Sequence, residues 1–184
     1  GQTALPKTLG VGSFQFAAGS DIAANLAALE RGISAASGEG VRLLLTQECG
    51  LCGYPPGERD APASVDQQAQ QGALEHVAAL AQRHCVFVAV GLITSQDGAF
   101  RNSLCLVGPD RSILSTYHKR ALWGWDTRNY LPGDASGVCE VDGLRVGLRI
   151  CYEVRFPEYF RELFRQEVSV ALVALSNVGG PARR

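Results

Sequence analysis

The chain has 184 residues, of which 46% are hydrophobic and 19% are charged, and its formal net charge is −1. This near-neutral charge gives no electrostatic reason to expect nucleic acid or an anionic membrane as a partner, and no apolar run approaches the ~20 residues that a membrane-spanning helix needs. The length predicts a single domain, residues 1–184. The six cysteines do not suggest a disulfide scaffold, so we expect reduced thiols in a cytoplasmic protein.

The hydrophobic pattern predicts strands that alternate with helices, together with antiparallel hairpins, which is typical of a layered α/β domain. Asp21 is a natural N-cap for a first helix, whose apolar positions recur at helical spacing as far as Gly38. Asp142-Gly143 predicts a tight hairpin turn. The predicted strands are 9–17, 41–48, 85–93, 102–107, 113–117, 138–141, 144–150 and 168–175, and the further predicted helices are 65–84 and 156–166.

Three ionisable side chains are predicted to lie at or just past strand ends. The strand 41–48 is apolar on both faces, so we expect it to be central and parallel, and it ends in Glu48. Ligands collect at the carboxyl ends of strands in open α/β sheets. Lys119 follows another predicted strand, and Cys151 stands where an alternating apolar run gives way to a helix that starts at Pro157. A thiol at such an elbow has the exposure and the rigid backbone that a nucleophile needs.

Glu48, Lys119 and Cys151 could together form a covalent acyl-transfer site. The thiolate is the nucleophilic form of cysteine, so a reactive thiol needs a base or a nearby cation. The Glu48 carboxylate could take the thiol proton and pass it to a leaving amine, and the Lys119 ammonium could stabilise the thiolate and an oxyanion. The residues alone leave a second interpretation open, in which Cys151 packs in the core and the other two side chains are solvated.

Distinctive sequence motifs surround these three residues. Thr46-Gln-Glu48 is followed by Gly53-Tyr-Pro55, Lys119 lies in Tyr-His-Lys-Arg, and Cys151 opens the run Cys-Tyr-Glu-Val-Arg-Phe-Pro-Glu. With these motifs the sequence resembles the carbon–nitrogen hydrolase, or nitrilase, superfamily. The resemblance runs from about residue 9 to residue 177. It implies a four-layer αββα sandwich, and it implies that the chain lacks the C-terminal part of that domain.

The same resemblance implies a catalytic triad of Glu48, Lys119 and Cys151, with the backbone N–H of Tyr152 helping Lys119 to stabilise the oxyanion. No metal or organic cofactor is implied. The implied reaction is hydrolysis of a small amide or carbamoyl compound through a thioester at the cysteine, releasing ammonia or an amine. The alternatives are a nitrilase, the glutaminase domain of a synthetase, and a non-catalytic regulatory member.

Further candidate residues come with the resemblance. Asp126 stands where many members carry a glutamate seven residues after the lysine, and we expect it to support Lys119. Tyr54, Trp125 and Glu153 are candidate substrate-binding residues, although an aromatic side chain such as Trp125 could equally pack its own loop. The resemblance also implies a homo-oligomer formed through the helix 156–166, whose apolar residues could instead be buried within one chain.

The sequence Cys49-Gly-Leu-Cys52 is a CxxC motif that suggests zinc binding or redox chemistry. A structural zinc site needs four ligands, and no second CxxC or spaced histidine pair follows. A dithiol switch beside Glu48 remains open, and the alternative is that both cysteines simply line the loop after the strand.

Overall fold

The protein is described by a computed structural model, which covers residues 8–53 and 61–176. Two short 3-10 turns, Pro62–Ser64 and Cys151–Arg155, precede the second and fourth helices. In chain order the other elements are β1 (Val11–Ser13), α1 (Ile22–Gly38), β2 (Leu43–Leu45), α2 (Gln67–His84), β3 (Phe87–Gln96), β4 (Ala99–Val107), β5 (Ile113–His118), α3 (Trp125–Asn129), β6 (Val138–Val141), β7 (Leu144–Ile150), α4 (Pro157–Arg165) and β8 (Val170–Ala174).

The strands form two sheets. The first has the order β1-β2-β3-β4-β5, in which β1, β2 and β3 are parallel to one another and β4 is antiparallel to both β3 and β5. The second has the order β6-β7-β8, in which β7 is antiparallel to β6 and parallel to β8. The prediction of a central, parallel second strand is confirmed, because β2 lies between β1 and β3 and is parallel to both.

Both faces of the first sheet are covered. Successive side chains of a strand point to opposite faces, so alternate residues pack against the helices and against the second sheet. Leu44 and Val88 pack against α1 and α2. Leu43 and Phe87, their neighbours in sequence, face the second sheet instead. The second sheet contributes Val141, Val146, Leu148, Ile150, Leu172 and Ala174 to this inter-sheet core.

The helix α4 covers the outer face of the second sheet. A Cβ atom at Gly147 would lie 2.5 Å from Leu163 Cδ2, so the glycine lets the buried side chain of α4 approach β7 closely. Arg149, two residues further along β7, donates to the Tyr159 carbonyl oxygen from Nη2 (2.8 Å) and from Nε (3.1 Å). The layers therefore follow the predicted αββα order: α1 and α2, the first sheet, the second sheet, and α4.

The helix starts and turns follow local chemistry. Asp21 caps α1 by accepting from Ala24 N (3.2 Å), and Asp66 caps α2 by accepting from Ala69 N (3.0 Å). The predicted hairpin at Asp142-Gly143 is confirmed, and both of these residues have positive φ. None of the helices within 8–53 and 61–176 has the length and apolar character needed to cross a lipid bilayer.

The structure differs from the predicted elements in several places. The first two strands span three residues each, Val11–Ser13 and Leu43–Leu45, where 9–17 and 41–48 were predicted, so Glu48 lies past its strand and not at its end. The strands β3 and β4 are longer than predicted and form one hairpin, which turns at Asp97-Gly98 with positive φ at both residues. A short helix, α3, lies in the stretch 122–136 that was predicted to be a loop, because a segment of five residues carries no helical period to detect.

Candidate active site

Glu48 lies three residues after β2 and is 2% exposed. Its Oε2 accepts hydrogen bonds from Lys119 Nζ (3.0 Å) and from Asn102 Nδ2 (2.9 Å). Its Oε1 has no hydrogen-bond partner among the described residues. One carboxylate oxygen thus holds the side chain in place, and the other is available to a reacting group.

The turn that carries Glu48 lies directly on β3. Leu51 N donates to the Gly91 carbonyl oxygen (3.0 Å), and a Cβ at Gly91 would overlap the backbone N of Cys49 and the backbone O of Gln47. Only a residue without a side chain allows the two backbones to lie this close. Gly91 therefore helps to set the position of Glu48.

We expect Gly91→Ala to lower the free energy of unfolding by roughly 1–3 kcal/mol, because the added methyl group meets backbone that cannot rotate away. Urea unfolding measures this directly. The matched control is Gly72→Ala in α2, where a Cβ would meet nothing within 4 Å and should raise helix stability slightly. Equal stability of the two variants would contradict the close approach.

Lys119 follows β5 and is 1% exposed. Its Nζ donates to Glu48 Oε2 and to Asp126 Oδ2, both at 3.0 Å. An ammonium has three N–H donors, so within the described residues the third is left for another acceptor. Asp126, in α3, is itself 1% exposed, and its shorter side chain does reach the lysine.

The electrostatics of this cluster fix its charges. Burial by itself lowers the pKa of Lys119, but the charges and hydrogen bonds of Glu48 and Asp126 outweigh burial, so the pKa is raised and the ammonium stays protonated at neutral pH. Burial raises the pKa of Glu48, and the attraction of Lys119 and the hydrogen bond from Asn102 only partly offset it. A raised pKa suits a carboxylate that exchanges protons near neutral pH.

Cys151 stands at the predicted elbow. It follows the last residue of β7, opens the 3-10 turn that leads to α4, and is half-buried. Its φ is +38°, a region that residues with a side chain rarely adopt. Strained backbone of this kind concentrates at functional sites.

The strand pairing brings this elbow towards Glu48. Ile150, the residue before Cys151, pairs with Ala174 of β8. Leu175, the residue after that strand, accepts a hydrogen bond at its carbonyl oxygen from Glu48 N (3.0 Å). Glu48 and Lys119, which follow strands of the first sheet, are in contact, and Cys151 follows the strand of the second sheet that pairs with β8, next to the backbone that binds Glu48 N.

The other predicted site residues have different surroundings. The Tyr152 ring is half-buried and lies edge-on to Phe156, with 5.1 Å between ring centroids. Trp125 is half-buried and lies edge-on to Tyr130 at 5.6 Å, against the cluster that contains Cys49, so at least part of its ring packs the loop. Tyr54 lies outside the described residues.

The substrate-binding interpretation of Glu153 does not fit its surroundings. The residue is 0% exposed, and its carboxylate already accepts four hydrogen bonds from protein donors. A carboxylate that is buried and whose oxygens both accept hydrogen bonds from the protein is not accessible to a ligand.

Asn102 is a site residue that the sequence analysis did not assign. It is 1% exposed. Its side-chain Nδ2 donates to Glu48 Oε2, and its backbone carbonyl oxygen accepts from Lys119 N (2.8 Å). It thus contacts both charged residues. One feature of the sequence does indicate a role for Asn102. It is an amide at the start of an otherwise apolar strand segment, and a buried polar side chain there needs hydrogen-bond partners.

Both cysteines of the CxxC motif are 0% exposed and line the inside of the loop after β2. Cys49 Sγ lies 3.7 Å from Asn102 Oδ1. The hydrogen bond with Cys52 and burial raise the pKa of Cys49 well above its usual value, so this thiol stays protonated. In the part of the chain that the structure describes, no three His, Cys, Asp or Glu residues are grouped so that they could hold a metal ion.

Comparisons with known proteins agree with this architecture. A hydrolase of Mycobacterium tuberculosis is 31% identical over 92% of this chain and 61% of its own length. An (R)-stereoselective amidase of a Pseudomonas species is 31% identical over 89% of this chain and 59% of its own. The chain thus spans about three fifths of the length of these curated relatives.

Solved structures show the same fold. An amidase from Nesterenkonia sp. AN1 superposes with a TM-score of 0.84 at 24% identity, over 91% of this chain and 67% of that one. The sequence profile of the carbon–nitrogen hydrolases matches residues 10–182, which is nearly the whole chain. The chain therefore belongs to the carbon–nitrogen hydrolase family.

Proposed function

We propose that this protein hydrolyses a non-peptide carbon–nitrogen bond of a small amide or carbamoyl compound, through a thioester at Cys151. The observation that supports this best is the buried group of Glu48, Lys119 and Asp126. Glu48 N donates to the Leu175 carbonyl oxygen, just past the strand that pairs with the residue before Cys151. Buried charges are costly unless they are fully paired, and replacing them with apolar residues is often stabilising. Their presence here favours a chemical role.

In the first step Cys151 Sγ attacks the substrate carbonyl carbon while the thiol proton passes to Glu48. The acceptor would be Oε1, the oxygen without a partner among the described residues. The carbonyl π bond breaks, and its electron pair moves to the oxygen of a tetrahedral intermediate. The remaining N–H of the Lys119 ammonium and the backbone N–H of Tyr152 would stabilise this oxyanion.

The intermediate then collapses to the thioester. The carbon–nitrogen bond breaks, and the nitrogen takes the proton from Glu48 and leaves as ammonia or an amine. Glu48 is then a carboxylate again, and it can take a proton from a water molecule that attacks the thioester. The acid is released, and Cys151 recovers its proton, so each group returns to its starting state.

The relatives lend support to this chemistry. One of the relatives is an (R)-stereoselective amidase. In a mutant of the Nesterenkonia amidase, acrylamide has added at the active-site cysteine. By family likeness, the corresponding nucleophile here is Cys151. Asp126 would keep Lys119 charged and oriented, while Trp125 and Tyr54 remain candidates for substrate contact.

A panel of small primary amides, carbamoyl compounds and nitriles tests the proposal. We expect ammonia or amine release from at least one amide or carbamoyl compound, and a hydroxamate when hydroxylamine traps the thioester. Intact-mass measurement would show the acyl group bound to the protein. Turnover of nitriles alone would favour a nitrilase, and no turnover together with no adduct would favour a non-catalytic protein.

The pH dependence follows from the raised pKa of Glu48. As a base it must be ionised, so kcat/KM should fall as the pH falls through its pKa in the free enzyme. We expect the midpoint of this acidic limb to lie above ~4.3, the pKa of an unperturbed glutamate. Initial rates at substrate concentrations well below KM, with circular dichroism at each pH to verify folding, give this midpoint. A midpoint at or below that value would contradict the assignment of the base.

We also propose that the protein forms a homo-oligomer through α4, in the cytoplasm. The side chain of Phe164 on this helix is 84% exposed, which is unusual for a large aromatic residue. Leu163 beside it is buried, so the helix presents apolar side chains both to its own sheet and to the outside. Light scattering after size-exclusion chromatography measures the oligomeric state, and a strictly monomeric protein would contradict this proposal.

A further inference from the structure

The buried carboxylate of Glu153 joins two parts of the chain, Ile150 and residues 117–121, that are about thirty residues apart in sequence. Its Oε1 accepts from Ile150 N (2.7 Å). Its Oε2 accepts from the Tyr117 hydroxyl (2.6 Å), Arg120 N (2.7 Å) and Ala121 N (3.3 Å). One oxygen thus binds the end of β7, and the other binds Tyr117 near the end of β5 and the backbone of the two residues after Lys119.

Both ends of this bridge lie next to a residue of the proposed triad. Ile150 immediately precedes Cys151, and Tyr117 and Arg120 flank Lys119 on its two sides. The strand β5 belongs to the first sheet and β7 to the second. Glu153 therefore connects the cysteine elbow of one sheet to the lysine segment of the other.

We propose that Glu153 is a positioning residue that fixes the Cys151 elbow relative to Lys119. This inference rests on the proposed function, and it assigns to Glu153 no contact with substrate. Two backbone N–H groups, those of Ile150 and Arg120, bind opposite oxygens of a single planar group, so the spacing between the two segments is set by the carboxylate itself. A misplacement of about 1 Å in an active site can cost about 10²-fold in rate.

The surroundings of Glu153 show how its charge is kept buried. Arg120 supplies positive charge close by: its Nε donates to the Tyr117 hydroxyl (3.3 Å), and its guanidinium lies over the Tyr159 ring at 4.7 Å. The same guanidinium pairs with Glu162 through Nη1 (2.9 Å). A buried carboxylate with four donors around it is held in one orientation, because any rotation breaks several charge-assisted hydrogen bonds at once.

The test is Glu153→Gln, which keeps the shape of the side chain but replaces one acceptor oxygen with an NH₂ donor. Whichever way the amide turns, its NH₂ group faces a backbone N–H on one side of the bridge. We expect kcat for amide hydrolysis to fall by about 10²-fold with KM nearly unchanged. We also expect iodoacetamide to alkylate Cys151 at least about tenfold more slowly, as measured by mass spectrometry of the peptide that contains Cys151, because the thiol is displaced from its activating groups.

Glu162→Gln is the matched control. It removes a second carboxylate that contacts Arg120, but this carboxylate has no hydrogen bond to the elbow or to the backbone beside Lys119 within the described residues. We expect its kcat and its alkylation rate to equal those of the wild type. Tyr117→Phe removes a single donor and leaves the carboxylate intact, so it should lower both rates by a smaller factor. This variant tests the same bridge if Glu153→Gln does not fold.

Two results would overturn the positioning role. A raised KM with unchanged kcat would assign Glu153 to substrate binding, and a lowered melting temperature with unchanged kcat and alkylation rate would leave it only a structural role. The two proposals fail separately. If the wild type hydrolyses no amide of the panel, the proposed function fails, whereas the alkylation comparison still reports whether Glu153 positions the thiol.

Discussion

Replacing Cys151 with alanine is expected to abolish amide hydrolysis, with kcat reduced by about 10⁴-fold or more, and to leave the fold intact. The side chain is the proposed nucleophile, so without its sulfur atom no thioester can form. The loss of stability should be small, because Cys151 is only half-buried and the positive φ of its backbone is as available to alanine as to cysteine.

The measurement combines ammonia release with intact mass after incubation with substrate and hydroxylamine. The wild type should show an acyl adduct or a hydroxamate, and Cys151→Ala neither. Cys85→Ala is the matched control, because Cys85 is an exposed thiol after α2 that lies outside the proposed site. Residual activity of Cys151→Ala within about tenfold of the wild type would exclude covalent catalysis by this residue.

The same variant tests whether the triad acts as a unit. When residues serve one step together, removing a second one costs little after the first is gone. We therefore expect the double variant of Glu48→Gln and Cys151→Ala to be no slower than Cys151→Ala alone. Losses that multiply would mean that the two side chains act in separate steps.

The local part of the site could be predicted from the sequence because its signals are short-range. The alternation of Leu144, Val146, Leu148 and Ile150 places Cys151 at a strand end, and Pro157 indicates the start of the next helix. The structure confirms both positions, with the 3-10 turn Cys151–Arg155 between them. The same reasoning placed Glu48 at the end of the strand 41–48, whereas β2 ends at Leu45 and Glu48 lies three residues further on.

The long-range part of the site could not be predicted in this way. The hydrogen bonds of Glu153 reach residues such as Tyr117, 36 positions away, and depend on how two sheets face each other. The sequence therefore does not show which residues Glu153 contacts. The helix α3 was missed for a related reason, because five residues are too few for a helix to be stable by itself and its Asp126 is held by Lys119.

Replacing Lys119 with methionine is expected to remove a large part of the stability as well as the activity. Methionine has a similar length but no charge, so Glu48 and Asp126 would remain buried without their shared cation. Removing one partner of a buried ion pair costs about 3–5 kcal/mol. That is a large share of the roughly 5–15 kcal/mol that a typical domain has in total.

A charge-neutral triple variant separates the two effects of Lys119. When Glu48→Gln and Asp126→Asn are added to Lys119→Met, no unpaired charge is left in the cluster. We therefore expect the triple variant to recover most of the lost free energy of unfolding, as measured with urea. Its activity stays absent, because the base and the cation are both gone. The deficit of Lys119→Met alone should shrink as the pH falls, since both carboxyls can then be buried in their protonated form. If the single variant were as stable as the wild type at neutral pH, Lys119 would not be the buried counter-charge that its contacts with Glu48 and Asp126 at 3.0 Å indicate.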